Sequence, residues 1–163
     1  DLFLNKLCVL IKEKNTNKKH LNLLIKFWKK IGSKVVFMDS KKHDTIFSMT
    51  SHLPHLIAYN LVKTATDFEK KQKYELIKYS AGGLRDFSRI AASNEIMWRD
   101  IFFYNHSNII KVIDLFIKNL AIFKKDIKSK NSKSLTKKLI KTKSVRKKII
   151  LLKQDTEKPD FGR

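Results

Sequence analysis

The sequence holds one cysteine, two prolines, four glycines and far fewer acidic than basic residues, 15 against 36. A lone Cys8 excludes an internal disulfide and suits a reducing, cytoplasmic setting. No apolar run approaches the roughly 20 residues that a helix needs to cross a bilayer, so no membrane role is expected. No signal peptide is expected from the opening residues, and no internal repeat is read in the sequence. It begins at Asp1 rather than at a methionine, which reads as a trimmed or truncated product. A hydrophobic fraction of 42% over 163 residues excludes wholesale disorder and leaves room for one domain with a core.

The formal charge of +21 raises the prospect of a polyanionic partner. Nearly all of that charge is lysine, however, with arginine confined to Arg85, Arg89, Arg99, Arg146 and Arg163. Chains rich in lysine, asparagine and isoleucine arise from AT-rich coding whatever their function. The excess therefore reads as a solvated surface rather than a nucleic-acid footprint.

Along the chain, Leu7 to Ile11 reads as a buried strand. Leu21, Leu24, Ile25 and Trp28 follow at helical spacing, with Gly32 as a stop, and Val35 to Met38 reads as a second strand. Strand, helix and strand form a βαβ-like unit, which belongs in a parallel sheet covered on both faces. Two strands alone leave open edges, so a larger sheet is expected upstream. Beyond Ser40, a plausible N-cap, only helices are expected. The spacing predicts one from Lys41 to Thr66, interrupted at Pro54, and another from Asp67 to Tyr79. A break is expected at Ala81-Gly82-Gly83, then a short helix from Asp86 to Ala92. Ser93 is the expected cap of the next helix, with Ile96, Met97, Ile101 and Phe102 at core spacing. A long helix is predicted from Asn105 to Phe123, through Ile109, Val112, Ile113, Phe116, Ile117 and Leu120. Lys124 to Lys148 reads as one or two surface helices, and Asp155 to Arg163 as an extended tail.

Three clusters could carry chemistry. In the first, Asp44, Ser48, Ser51, His52 and His55 share a helix face at steps of three or four. Pro54 cannot donate to the Thr50 carbonyl, so a kink there opens a polar pocket; the plainer reading is a helix with surface histidines. A metal is disfavoured, because His52 and His55 lack the glutamate that zinc-protease helices place between their histidines. In the second, Gly82 and Gly83 permit close backbone approach, and Arg89 offers a fork for a carboxylate. The plainer reading is a helix C-cap and a surface arginine paired with Asp86. The third, Met97-Trp98-Arg99-Asp100, is an aromatic beside a charged pair, and alone Trp98 is more often core than ligand-stacking.

The segments HDTIFSMTSHLPHLIAYNLV and SAGGLRDFSRIAASNEIMWRDIFFYN, in this order, resemble the C-terminal signature of the prephenate/arogenate (cyclohexadienyl) dehydrogenase family. The resemblance runs from about Leu7 to Phe123, and QDTEKPDFGR is similar to the tail of alphaproteobacterial members. It implies an NAD(P)-binding Rossmann-type domain upstream, followed by a helical domain forming an intertwined homodimer. It also implies oxidative decarboxylation of prephenate or arogenate in tyrosine biosynthesis, with tyrosine as a possible inhibitor. The family's catalytic histidine and glycine-rich phosphate loop lie in the upstream domain, so this portion alone is expected to be inactive and to supply no catalytic residue.

By resemblance, Arg89 holds a substrate carboxylate and Ser51, His52 and His55 line the pocket. Gly82 and Trp98 shape it, and Asp44 joins an ionic network with Arg89 across the dimer. The expected fold is mainly α. Residues 1–39 are the end of the nucleotide-binding domain, 40–125 the substrate-binding and dimerisation domain, and 126–163 a basic tail. Two competing readings are a non-catalytic helical dimerisation module and a basic helical nucleic-acid binder. The second predicts affinity falling steeply with salt and leaves SHLPH and GGLRDFSR unexplained.

Overall fold

β-branched and aliphatic residues at Leu7–Ile11 and Lys34–Met38 form β1 and β2, which pair in parallel from Leu7↔Lys34 to Ile11↔Met38. Between them lies α1, Lys18–Lys30. Asn17 caps α1 by accepting hydrogen bonds from the Lys19 and His20 N–H groups, and lysines 29 and 30 occupy its last turn, where cations suit the helix dipole. Gly32 returns the chain at φ +90°, a left-handed conformation that favours glycine, and a Cβ there would also crowd the Leu4 Cα at 3.2 Å. The computed structural model describes residues 2–155, and contacts divide the chain into two compact units, Asp1–Ile46 and Phe47–Arg163. The first unit is the expected βαβ. Its two-stranded sheet leaves Leu7, Ile11, Leu23, Phe27 and Phe37 exposed.

Helix α2, Ser40–Phe47, leads into the second unit. Its cap is Asp39, whose carboxylate accepts from Lys42 N–H at 2.8 Å, not Ser40 as the sequence suggested. The carboxylate also suits the positive end of a helix better than a hydroxyl does. Ser48–His52 then form one π-helical turn, in which Leu53 N–H reaches the Ser48 carbonyl. Helix α3 runs Leu53–Gln72 without a break at Thr66, because nothing in Ala65-Thr66-Asp67 interrupts helical hydrogen bonding. It ends where Lys73 turns left-handed at φ 57°. A short 3₁₀ turn, Ile77–Tyr79, follows.

Helix α4, Gly82–Ala91, starts at the glycines, so they form its first turn rather than a break before it. Helix α5 is Glu95–Tyr104, and its cap is Asn94, which accepts from Met97 N–H at 2.8 Å. Ser93, the expected cap, instead donates its hydroxyl to the Ile90 carbonyl at the end of α4. Helix α6, His106–Lys128, and helix α7, Ser132–Leu151, complete the described chain. The final residues of the expected extended tail, 156–163, lie outside the described residues.

The small core of this unit gathers on α3, against which α4 and α6 pack. Ala58 is fully enclosed, and Leu53, Trp98 and Ile109 are buried around it. Ile96 and Met97, expected in the core, are exposed, because α5 turns Trp98 inward instead. Ile117 and Leu120 of α6 are exposed as well. At the α6–α7 turn the buried Asp126 carboxylate accepts from Ser134 Oγ at 3.0 Å and from Lys138 Nζ, locking the two helices together. The Lys138 hydrogen bond holds this carboxyl below the usual carboxylate range; burial opposes the shift, and Ser134 and the charges of Lys138 and Lys125 add to it.

Candidate functional site

Pro54 explains why the site forms where it does. It lacks an N–H, so the preceding turn cannot close in the regular α pattern, and it sits in the first turn of α3, where that lack is tolerated. The widened turn at Ser48–His52 absorbs the mismatch. It also alters the expected shared face. Ser48 turns into the core and is 1% exposed, whereas Ser51, His52 and His55 stay half-buried.

His55 lies flat against Trp98, with ring centroids 3.8 Å apart and planes 21° apart. His52 meets the same indole edge-on at 6.2 Å and 76°, and Phe102 touches it at 5.6 Å. Such ring pairs contribute about 0.5–1.5 kcal/mol each beyond the area they bury. His55 Nδ1 lies 3.0 Å from the Ser51 carbonyl oxygen, and His52 Nδ1 lies 3.2 Å from Asn105 Nδ2. Trp98 is buried, and its Nε1–H has no acceptor among the described residues. A buried donor left without a partner costs about 1–3 kcal/mol, so this indole is poised to gain from an acceptor.

Tyr59, one turn beyond His55 on α3, donates its hydroxyl to the Ser93 carbonyl at 2.8 Å and ties α3 to the turn between α4 and α5. The structure thus brings Ser51, His52, His55 and Trp98 together, from segments more than forty residues apart in sequence. Arg89 is exposed in the last turn of α4 and forms no ion pair among the described residues, not even with Asp86. Gly82 opens α4, and an added Cβ would meet only Arg85 Nη2, at 4.0 Å. Neither Gly82 nor Gly83 has a positive φ, so no strain inside the chain demands glycine there. Asp44 belongs to the first unit, where its carboxylate lies 3.0 Å from His43 Nδ1.

Asn105, in sequence only the start of the long helix, is a buried partner of His52. No local spacing links two residues 53 apart, and an asparagine at a helix boundary ordinarily signals a cap. Among the described residues no group of three or more metal-ligating side chains gathers. The β1–α1 connection, residues 12–17, contains no glycine and so forms no phosphate-cradling loop; a dinucleotide pyrophosphate does not fit there. The second unit thus gathers two imidazoles, a hydroxyl-bearing Ser51 and a buried indole at one place, groups that can make hydrogen bonds and ring contacts.

Residues 39–141 match the family model described as "Prephenate dehydrogenase, dimerization domain". The chain is 34% identical over 131 residues to a cyclohexadienyl dehydrogenase of Zymomonas mobilis, covering 80% of this chain and 45% of that protein. It is 32% identical over 135 residues to a prephenate dehydrogenase of Bacillus subtilis, covering 82% of this chain and 36% of that one. The chain thus spans less than half the length of these relatives. Among solved structures it superposes on prephenate dehydrogenase from A. aeolicus in complex with hydroxyphenyl propionate and NAD+, with TM-score 0.82 and 38% identity over 91% of this chain and 51% of that one. It shares its fold with Synechocystis arogenate dehydrogenase at TM-score 0.73 and 23% identity, covering 90% of this chain and 53% of that one. The chain therefore belongs to the prephenate dehydrogenase family and carries that family's helical dimerization domain.

Proposed function

We propose that this chain is the substrate-binding and dimerising part of an NAD(P)-dependent dehydrogenase that oxidatively decarboxylates prephenate, arogenate or both, for tyrosine synthesis in the cytoplasm. The observation that carries the reading is the convergence of His52 and His55 on the buried Trp98. This site sits within a chain whose A. aeolicus relative was solved with hydroxyphenyl propionate and NAD+. Two imidazoles beside an aromatic plane suit a six-membered ring bearing a hydroxyl and an acid.

In this reading Ser51, His52 and His55 line the pocket, and Gly82 and Trp98 shape it. Arg89 holds a substrate carboxylate, the task its planar fork suits best. With no ion pair to it among the described residues, the guanidinium is available for that role. Asp44 supports Arg89 through an ionic network completed in a homodimer. Exposed Ile110, Ile117 and Leu120 on α6 supply apolar surface for such an assembly. NAD or NADP is bound mainly by an upstream nucleotide-binding domain, of which 1–39 are the C-terminal end; 40–125 bind substrate and dimerise, and 126–163 form a basic tail. Hydride acceptance is the cofactor's chemistry; this chain's residues bind and orient the acid. The chain alone is inactive, and tyrosine binds the same pocket as an inhibitor.

In the complete enzyme, His55→Ala is expected to raise KM for prephenate or arogenate about tenfold or more, the worth of one good hydrogen bond with its ring contact. An unchanged KM would remove His55 from the pocket.

A further inference from the structure

Asn105 ends α5 and begins α6, and it is buried. Its side chain makes no capping bond to the helix backbone. Instead Asn105 Oδ1 accepts from Asn108 Nδ2 at 2.8 Å, and Asn105 Nδ2 faces His52 Nδ1 at 3.2 Å. The orientation follows from donor and acceptor chemistry. With Asn108 Nδ2 as the donor to it, the Asn105 atom facing Asn108 is the carbonyl oxygen. That leaves the Asn105 NH2 group toward the imidazole. An NH2 donates, so His52 Nδ1 accepts and carries no proton, and the neutral ring bears its proton on Nε2.

His55 takes the opposite form. Its Nδ1 faces the Ser51 carbonyl, which only accepts, so Nδ1 is protonated and Nε2 is the basic nitrogen. Two histidines three residues apart, both against Trp98, are therefore held as different tautomers by different neighbours. A neutral imidazole can exchange its two forms in water, and a wrong tautomer turns a donor into an acceptor. A second partner that fixes the ring is what a binding histidine needs.

We infer that Asn105, itself held by Asn108, is a positioning residue: it fixes His52 as the Nε2–H tautomer, so that His52 meets an acceptor on the substrate, such as a carboxylate or carbonyl oxygen, as a neutral donor. The inference rests on the proposed pocket for its role in binding, and on the Asn108–Asn105–His52 amide orientation for the tautomer.

The test uses the complete dehydrogenase labelled with ¹⁵N-histidine, as the parent and as Asn105→Asp and Asn105→Leu. Aspartate keeps the shape and the acceptor for Asn108, but places a carboxylate oxygen where the NH2 stood. In the parent, His52 Nδ1 is expected to show the unprotonated nitrogen signal and Nε2 the protonated one. In Asn105→Asp, Nδ1 becomes protonated, and KM rises about ten- to a hundredfold with kcat changed less, the loss of one hydrogen bond to a charged group. Placed in a His52→Ala background, the same change adds no further rise. Asn105→Leu gives a mixture of tautomers and a similar KM if it folds; Asn105→Asp decides the matter if it does not.

Unchanged His52 ring signals in Asn105→Asp would overturn the inference. So would a KM rise that persists without His52, or altered ring signals with an unchanged KM while Arg89→Ala still raises it. If Arg89→Ala and His55→Ala both leave KM unchanged, the pocket reading fails and the binding role of Asn105 falls with it; the ring signals still judge the tautomer.

Discussion

Arg89 and Trp98 are opposite cases. Arg89 is exposed and makes no ion pair among the described residues, so its removal should hardly touch folding. Arg89→Ala is expected to change unfolding stability by less than about 0.5 kcal/mol, as surface substitutions do. In the complete enzyme the same change should raise KM about ten- to a hundredfold, far more than it lowers kcat, if a charged hydrogen bond to the substrate is lost. Denaturant melts and steady-state kinetics separate the two effects, and an unchanged KM would take Arg89 out of the pocket.

Trp98 is buried, stacked on His55, and its indole N–H has no acceptor among the described residues. Trp98→Phe keeps an aromatic ring and deletes the N–H. The gain from removing an unsatisfied donor offsets part of the lost volume, and the net change in stability should stay within about 1 kcal/mol. Trp98→Ala should cost about 3–5 kcal/mol. Thermal melts of the two variants check this; equal losses would show that Trp98 Nε1–H has a stabilising partner.

At the scale of elements, the α6–α7 turn hangs on Asp126. Its folded carboxyl titrates below the ordinary range, chiefly through the Lys138 hydrogen bond. The stabilisation is therefore fully present above the ordinary carboxylate pKa and is lost as pH falls through the lower folded value. Asp126→Asn should be less stable than the parent near neutrality, with the difference shrinking to nothing in acid. Melting temperatures across an acid series test this, and a gap that widens toward low pH would contradict it.

The elements were legible to different degrees. β1, α1 and β2 follow from two aliphatic runs, one helical stripe and Gly32, all local signals. Pro54 announced an irregularity, but nothing local specified a π turn rather than a kink, because that choice depends on packing against α6. Asp39 and Asn94 cap α2 and α5 although serines stand beside them, and with several capping residues in a row local sequence does not single one out. The glycine pair read as a break, yet Ala81 sits extended and α4 begins at once. In the site, residues within SHLPH were readable from spacing. Asn105 was not, because its partner lies across the fold.

For the whole molecule, exposure is the telling feature. Ile110, Ile117 and Leu120 on α6 are exposed at helical spacing, and Leu139 and Ile140 on α7 are exposed as well. The first unit likewise exposes Leu23, Phe27 and Phe37. Surfaces of this kind are ordinarily covered, by a second copy or by the rest of a sheet. The complete protein should therefore sediment as a homodimer, and a monomer at micromolar concentration would contradict the dimer reading.

The most direct test of the account is turnover by the complete protein. Reduced nicotinamide formation is followed with prephenate and with arogenate, each with NAD and with NADP. The account predicts turnover of at least one pair, with KM raised by Arg89→Ala and by His55→Ala. No turnover of any pair, in a folded dimeric protein, would contradict it and show that the family's helical scaffold serves another purpose here.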